Sequence, residues 1–184
     1  MKKIEKRKIM DKIDIRNTIE RLASEILERH KDYKKIALIG IRTRGAPIAK
    51  RIKEILEEKL KIEIPLGILD ITFYRDDLQK ISEYPEVKST LLDFDVNNRE
   101  IILVDDVLYT GRTIRSALDA IIDFGRPDKI ELLVLIDRGH RELPIHPDYL
   151  GKKVATSKSE NVEVRLEEID GVDEVVICEF INNF

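Results

Sequence analysis

The chain has 184 residues, 42% of them hydrophobic, and a net charge of −3, enough for a single domain that buries about 70% of its unfolded surface. A balance of 33 basic and 36 acidic residues forces no nucleic-acid partner on global grounds and gives a dense mixed surface of the kind thermophiles organise into ion-pair networks. One cysteine, Cys178 in VVICEF, excludes an internal disulfide framework, and His30, His140 and His146 lack metal-ligand spacing. No apolar run reaches membrane-spanning length, and the charged start MKKIEKRKIMDKID carries no secretory h-region, so a cytoplasmic protein is expected.

Residues 14–31 place Ile15, Ile19, Leu22, Ala23, Ile26 and Leu27 on one stripe of a helix. A short apolar run, Ile36–Gly40, precedes the polar turn Arg42-Thr43-Arg44-Gly45, and a second helix is predicted from near Pro47 to about Leu60. After an apolar run at Leu66–Thr72, the polar stretch from Phe73 to about Asn98 is long enough to be a lid or binding loop. A strand at Ile101–Val104 leads through a loop to a helix on Ile114, Ala117, Leu118, Ile121 and Ile122, closed by Gly125 and Pro127. Further strands are predicted at Glu131–Ile136, Val162–Leu166 and Val175–Phe180, the last two separated by the turn pair Asp170-Gly171. Strands alternating with amphipathic helices predict an α/β fold, a mostly parallel sheet flanked by helices. Ligands of such sheets sit beyond the strands' carboxyl ends, where the loops after Gly40, Val104 and Ile136 converge.

The loop Asp105–Thr113 carries chemistry in both halves. Asp105 and Asp106 can accept from a vicinal diol, or face a magnesium ion directly or through water. TGRT then runs into a helix whose first turn offers free N–H groups and a positive dipole end. Gly111 lets the backbone approach a phosphate, and the hydroxyls of Thr110 and Thr113 can donate. Arg42-Thr43-Arg44-Gly45 forms a second anion-ready helix start. In DRGHRELPI, Arg138 is the better candidate for contacting a base, while His140, with Arg138 and Arg141 on either side, reads as a surface or partner-contact residue.

VDDVLYTGRT resembles the 5-phosphoribosyl pyrophosphate (PRPP) motif of the type I phosphoribosyltransferases, whose fold adds a small hood over the base. DRGHRELPI, DITFYRDDL and TSKSE narrow the resemblance to the pyrimidine operon regulatory proteins, over about residues 14–180. That family couples uracil phosphoribosyltransferase activity to binding of its own operon's messenger RNA. The resemblance implies one domain spanning 1–184, with a flexible loop at about 73–98 and hood elements at about 150–184. It implies that Asp105, Asp106, Val107, Leu108, Tyr109, Thr110, Gly111, Arg112 and Thr113 hold PRPP or a nucleotide, and that Asp105 and Asp106 face Mg2+. Thr43 and Arg44 would bind pyrophosphate, with Arg75 meeting the same leaving group. Asp105, Asp106, Arg44 and Arg75 are thus the expected catalytic set.

Tyr109 stands where purine enzymes typically carry an acid; a phenol of reference pKa about 10 is a poor base near neutrality, which argues against a purine. The implied activity makes UMP and pyrophosphate from uracil and PRPP. The implied regulation is UMP- or UTP-responsive binding of the pyrimidine operon mRNA leader, with Arg16, Arg21, Arg29, Arg141 and Lys152 on the RNA face and a homodimer or higher homo-oligomer as the assembly. Glu20, on the same helix, departs from the neutral or basic character expected there. Two alternatives follow: a dedicated RNA-binding attenuator that uses the pocket as a nucleotide sensor, and a salvage enzyme without RNA binding.

Overall fold

The computed structural model describes residues 2–72 and 90–181. Four strands predicted from the sequence belong to one sheet: β2 (Ile36–Ile41), β3 (Leu66–Leu69), β4 (Glu100–Leu108) and β5 (Lys129–Asp137). With β6 (Tyr149–Lys153) they run parallel in the order β3-β2-β4-β5-β6. Alternation along β2 and β4 sends Leu38, Ile102 and Val104 to one face and Ala37, Ile39, Ile101 and Leu103 to the other. Helices α1 (Lys12–Arg29) and α2 (Gly45–Leu60) cover the first face through Ile15, Ile19, Leu22, Ile48, Ile52 and Leu56, and α3 (Arg112–Phe124) covers the second through Ile114, Ala117 and Ile121. The expected parallel sheet with helices on both faces is the observed fold.

A second sheet forms the hood. Strand β1 (Lys2–Met10) pairs antiparallel with β8 (Glu174–Ile181), which pairs antiparallel with β7 (Glu160–Arg165). The one-turn helix α4 (Glu167–Asp170) joins β7 to β8, and Gly171 takes φ +73° at the predicted turn. The hood therefore differs from the expected 150–184 segment: β6 belongs to the main sheet, and the N-terminal strand completes the hood. Val162, Val164, Val175 and Ile177 merge with the core under α1 and α2. Arg51 of α2 ties the two parts by pairing with Glu168 and Asp173, its Nη2 lying 2.6 and 2.8 Å from their oxygens.

α1 begins two residues earlier than predicted because Asp11 caps it. The Asp11 carboxylate accepts from the Ile13 and Asp14 amides, while Asp14 accepts from the Asp11 amide. At its other end His30 is buried between Glu100, Glu131 and the Tyr149 hydroxyl, binding the helix to three strands. His30 is thus a structural residue. Of the stretch 73–98 expected to be flexible, residues 73–89 lie outside the described residues. Residues 90–98 are docked: Leu91 exchanges two 2.8 Å backbone hydrogen bonds with Ile68, and Val96 is buried.

Candidate active site

Because β2 to β5 are parallel, the turns after Ile41, Leu69, Leu108 and Asp137 open on one edge of the sheet. β4 runs four residues beyond its predicted end, so Asp105 and Asp106 lie in the strand rather than in a loop. The strand pairs with β5 on either side of Asp106, through Asp105–Val134 and Val107–Ile136, which fixes both carboxylates on a rigid element. Asp105 accepts from the Asp106 amide at 2.9 Å and Asp106 from the Val107 amide at 2.8 Å. Burial, and for Asp105 the adjacent Asp106 charge, raise the proton affinity of both.

The turn proper is Tyr109-Thr110-Gly111, and Gly111 is the N-cap of α3 at φ +94°. That left-handed conformation favours glycine. The carbonyl of Thr110 accepts from the amides of Glu142 and Leu143, pinning the turn to the loop after β5. A cavity of about 290 Å³ opens here, lined by Val107–Ile114, Ser116 and Glu142. Its floor is the first turn of a 13-residue helix, where the Arg112 amide donates to the Thr110 hydroxyl oxygen at 3.3 Å; the positive end of the helix dipole there suits a phosphate.

The second anion loop follows β2. Arg42–Thr43 is a cis peptide, and Arg44 is the N-cap of α2. Gly45 packs so tightly on β4 that an added Cβ would stand 2.3 Å from the Val104 carbonyl oxygen. This close approach brings Arg44 beside Asp106: both line a cavity of about 480 Å³ with Lys3, Asn161 to Arg165 and Asp170. Arg44 holds Asp170 bidentately at 3.2 and 2.8 Å, and the pairing keeps the Asp170 carboxyl below the usual range. Thr43 is exposed at the same loop.

The structure thus brings Thr43, Arg44, Asp105, Asp106 and the turn 107–113 to one edge. Arg75 lies outside the described residues. Arg138, expected at the base, is buried with its guanidinium engaged: it lies 4.0 Å from the Tyr109 ring centroid and donates to Asn161 and to the Glu160 carbonyl. Arg141, expected on the RNA face, is half-buried and engaged within the chain. It pairs with Asp137 at 2.7 Å and donates to the carbonyls of Tyr109 and Ile145, so it builds the ligand edge rather than a free surface. Arg21, Arg29 and Lys152 do gather along β6, through the carbonyls of Leu150, Gly151 and Asp148 and through Ile9. Arg16 is exposed with Glu20 at 4.0 Å, and Arg21 pairs with Glu25.

Lys3, Asn161, Glu163 and Asp170 are cavity residues that the sequence did not announce. As single polar residues in mixed-charge segments, they carry no motif. Among the described residues no cluster of three or more His, Cys, Asp or Glu could hold a metal. The donor set at Asp105–Asp106, two hard carboxylates with free lone pairs, fits a Mg2+ that keeps waters and substrate oxygens for its remaining positions.

Comparison with known proteins agrees with this geometry. Residues 9–169 match the phosphoribosyl transferase domain family. The chain is 54% identical over 171 residues to the bifunctional protein PyrR of Caldicellulosiruptor bescii, covering 93% of this chain and 94% of that one. It is also 54% identical to the bifunctional protein PyrR of Clostridioides difficile, over 96% of this chain and 99% of the relative. The chain belongs to the PyrR family. Among solved structures, a hypoxanthine-guanine phosphoribosyltransferase of Bacillus anthracis superposes with a TM-score of 0.72 at 14% identity, covering 97% of this chain and 100% of that one. A hypoxanthine phosphoribosyltransferase of Staphylococcus aureus gives 0.70 at 17%, covering 94% and 92%. These two speak for the fold alone. PyrR membership carries the narrower resemblance, and no helix among the described residues is long and apolar enough to cross a membrane.

Proposed function

We propose that this PyrR-family protein works in the cytoplasm, transferring the phosphoribosyl group of PRPP to uracil to give UMP and pyrophosphate. UMP or UTP in the same pocket governs binding of the pyrimidine operon mRNA leader. The observation that carries the reading is the rigid run from β4 into α3. It sets the buried Asp105 and the half-buried Asp106 on the strand that leads into a helix N-terminus with a 290 Å³ cavity, the order a ribose 5-phosphate needs. The phosphate sits on the amides of 110–113 with the hydroxyls of Thr110 and Thr113, and the diol faces Asp105 and Asp106.

Bond breaking takes place at the ribose anomeric carbon. The C1′–oxygen bond to pyrophosphate breaks as the uracil N1 bond forms and the N1 proton passes to the departing pyrophosphate, through a state with ribosyl-cation character. No covalent nucleophile is required. Arg44 and the amides at the start of α2 receive the pyrophosphate charge, which is positioning and electrostatic stabilisation rather than acid–base work. Asp105 and Asp106 orient the diol and hold Mg2+, which supplies charge neutralisation for the leaving group when bound. Arg75 is assigned to the same leaving group. The regulatory half rests on Arg21, Arg29 and Lys152 along β6, a basic line suited to RNA phosphates.

Replacing Asp105 and Asp106 together by Asn is expected to lower UMP formation by at least about 100-fold, as loss of oriented charge stabilisation does, with the circular dichroism spectrum unchanged. Unchanged turnover would remove the assignment. The pairing of Arg16 with Glu20 and Arg21 with Glu25 favours a second reading, a salvage enzyme without RNA binding. A UMP-dependent mobility shift of the cognate leader separates the two.

A further inference from the structure

The hood wall of the 480 Å³ cavity holds one neutral amide among charged neighbours, Asn161. The neighbours are already partnered. Lys3 pairs with Glu163, Arg44 with Asp170, and Arg165 with Glu174. Arg138 stands behind Asn161, stacked on the ring of Tyr109, and its Nη1 donates to Asn161 Oδ1 at 3.0 Å. A guanidinium has only donors, so this contact settles which way the amide is turned. Oδ1 faces Arg138. Among the described residues no acceptor is bonded to Nδ2, so what Asn161 has left to offer a ligand is a pair of N–H donors.

Resting on the uracil reading above, we infer that Asn161 is the residue that selects the base at C4, donating Nδ2 to the exocyclic O4 of uracil. The cavity runs from Asp106 and Arg44, where the ribose and pyrophosphate are placed, to the hood strand β7. N1 of the pyrimidine faces the ribose, and C4 is the ring atom opposite N1. The group at C4 therefore points at the hood. Uracil carries an acceptor there and cytosine an amino donor, so an N–H donor held from behind by Arg138 fits the first and opposes the second. Discrimination of this type is strong because a mismatched site leaves buried polar groups unpaired. Arg138 is then a positioning residue: it fixes the amide and, through Tyr109, links base selection to the turn that holds the phosphate.

The test compares wild type with Asn161→Asp and Asn161→Ala. The first keeps an oxygen for Arg138 but turns the inward donor into an acceptor; the second removes both. Steady-state rates with uracil, 4-thiouracil and 2-thiouracil are measured, alongside UMP and CMP binding by calorimetry. Both variants are expected to raise the uracil KM roughly tenfold or more, with the PRPP KM within about twofold. Wild type should discriminate against 4-thiouracil, whose sulfur is a poor acceptor, and the variants should lose that discrimination while keeping the wild-type response to 2-thiouracil. The preference for UMP over CMP should narrow in both. An unchanged uracil KM with an unchanged 4-thiouracil ratio overturns the inference, as does equal wild-type affinity for UMP and CMP. If wild type makes no UMP yet prefers UMP to CMP through Asn161, the catalytic reading fails and the base-selecting role stands. If Asn161→Ala does not fold, Asn161→Asp, which retains the Arg138 contact, decides the matter.

Discussion

Arg44 and Asp170 meet across the cavity as a bidentate pair, and in the proposed reaction pyrophosphate takes the same guanidinium. The Arg44 and Asp170 side chains are 35% and 21% exposed, so the pair is worth no more than about 1 kcal/mol. Breaking it in advance should help the ligand by that amount. Asp170→Asn is expected to tighten pyrophosphate binding roughly three- to fivefold, the equivalent of about 1 kcal/mol, read by calorimetry. The Asn oxygen can still accept from the Leu166 amide, which Asp170 now caps at 2.9 Å, so α4 should persist. Weaker pyrophosphate binding would show that Asp170 orients Arg44 rather than competing for it. Gly45 makes a harder constraint at this scale. A Cβ placed 2.3 Å from the Val104 oxygen meets backbone that cannot give, so Gly45→Ala should shift the pyrophosphate loop, lower the melting temperature and raise the PRPP KM together.

Strand β1, like β6, is an element that the sequence concealed. The nine residues of β1 include only one buried side chain, Met10, so no period-2 hydrophobic signal exists to be read. The strand is held instead by charges across the hood: Lys3 with Glu163, Lys6 with Glu160 and Glu179, Lys8 with Glu174, and Glu5 with Arg165. β4 outruns its sequence signal for the converse reason. Asp105 and Asp106 look like the end of a strand, yet the ladder with β5 continues through them to Leu108, and Val107 and Leu108 keep the packing going. The charge ladder has a pH consequence. Lys8 and Arg165 hold the Glu174 carboxyl below its usual value of 4.5, Lys3 and Arg165 hold Glu163 below 4.5 against the effect of its own burial, and Arg51 with the Glu167 amide holds Asp173 below 3.8. A folded-state value below the unfolded one adds stability above the unfolded value and loses it as pH falls through the folded one. The ladder's contribution to stability should therefore be fully present at neutral pH and be lost as the pH falls below about 4.5, read as a smaller drop in melting temperature for a Lys8→Ala variant than for wild type over that range. Protection of the β8 amides in hydrogen exchange should fall with it, before that of β4. A hood equally stable at pH 3 would mean that the ladder adds nothing to folding.

At the scale of the whole molecule, the parallel sheet, its two helical layers and the ligand edge were legible because buried strands and amphipathic helices leave strong periodicities, and because VDDVLYTGRT joins two chemistries in one run. The hood side of the pocket was not legible. Asn161, Glu163 and Asp170 acquire their roles only when β7 and α4 fold back over β4, a juxtaposition between residues about 60 apart in sequence. The proposed RNA surface divides in the same way. Arg21, Arg29 and Lys152 converge on β6, whereas Arg141 sits beneath the ligand edge, paired with Asp137 and with its side chain only 15% exposed. Electrostatic contact with single-stranded RNA releases about 0.7 counterions per phosphate neutralised, so the two classes should separate in a salt titration. Lys152→Ala and Arg29→Ala should each weaken leader binding and flatten the slope of log affinity against log salt by about 0.7. Arg141→Ala should leave that slope unchanged, because it removes an internal pair rather than a phosphate contact. It should instead lower the melting temperature and weaken UMP binding, since the carbonyl of Tyr109 loses its donor and the PRPP turn its anchor. A flattened slope for Arg141→Ala with UMP affinity intact would return that arginine to the RNA face.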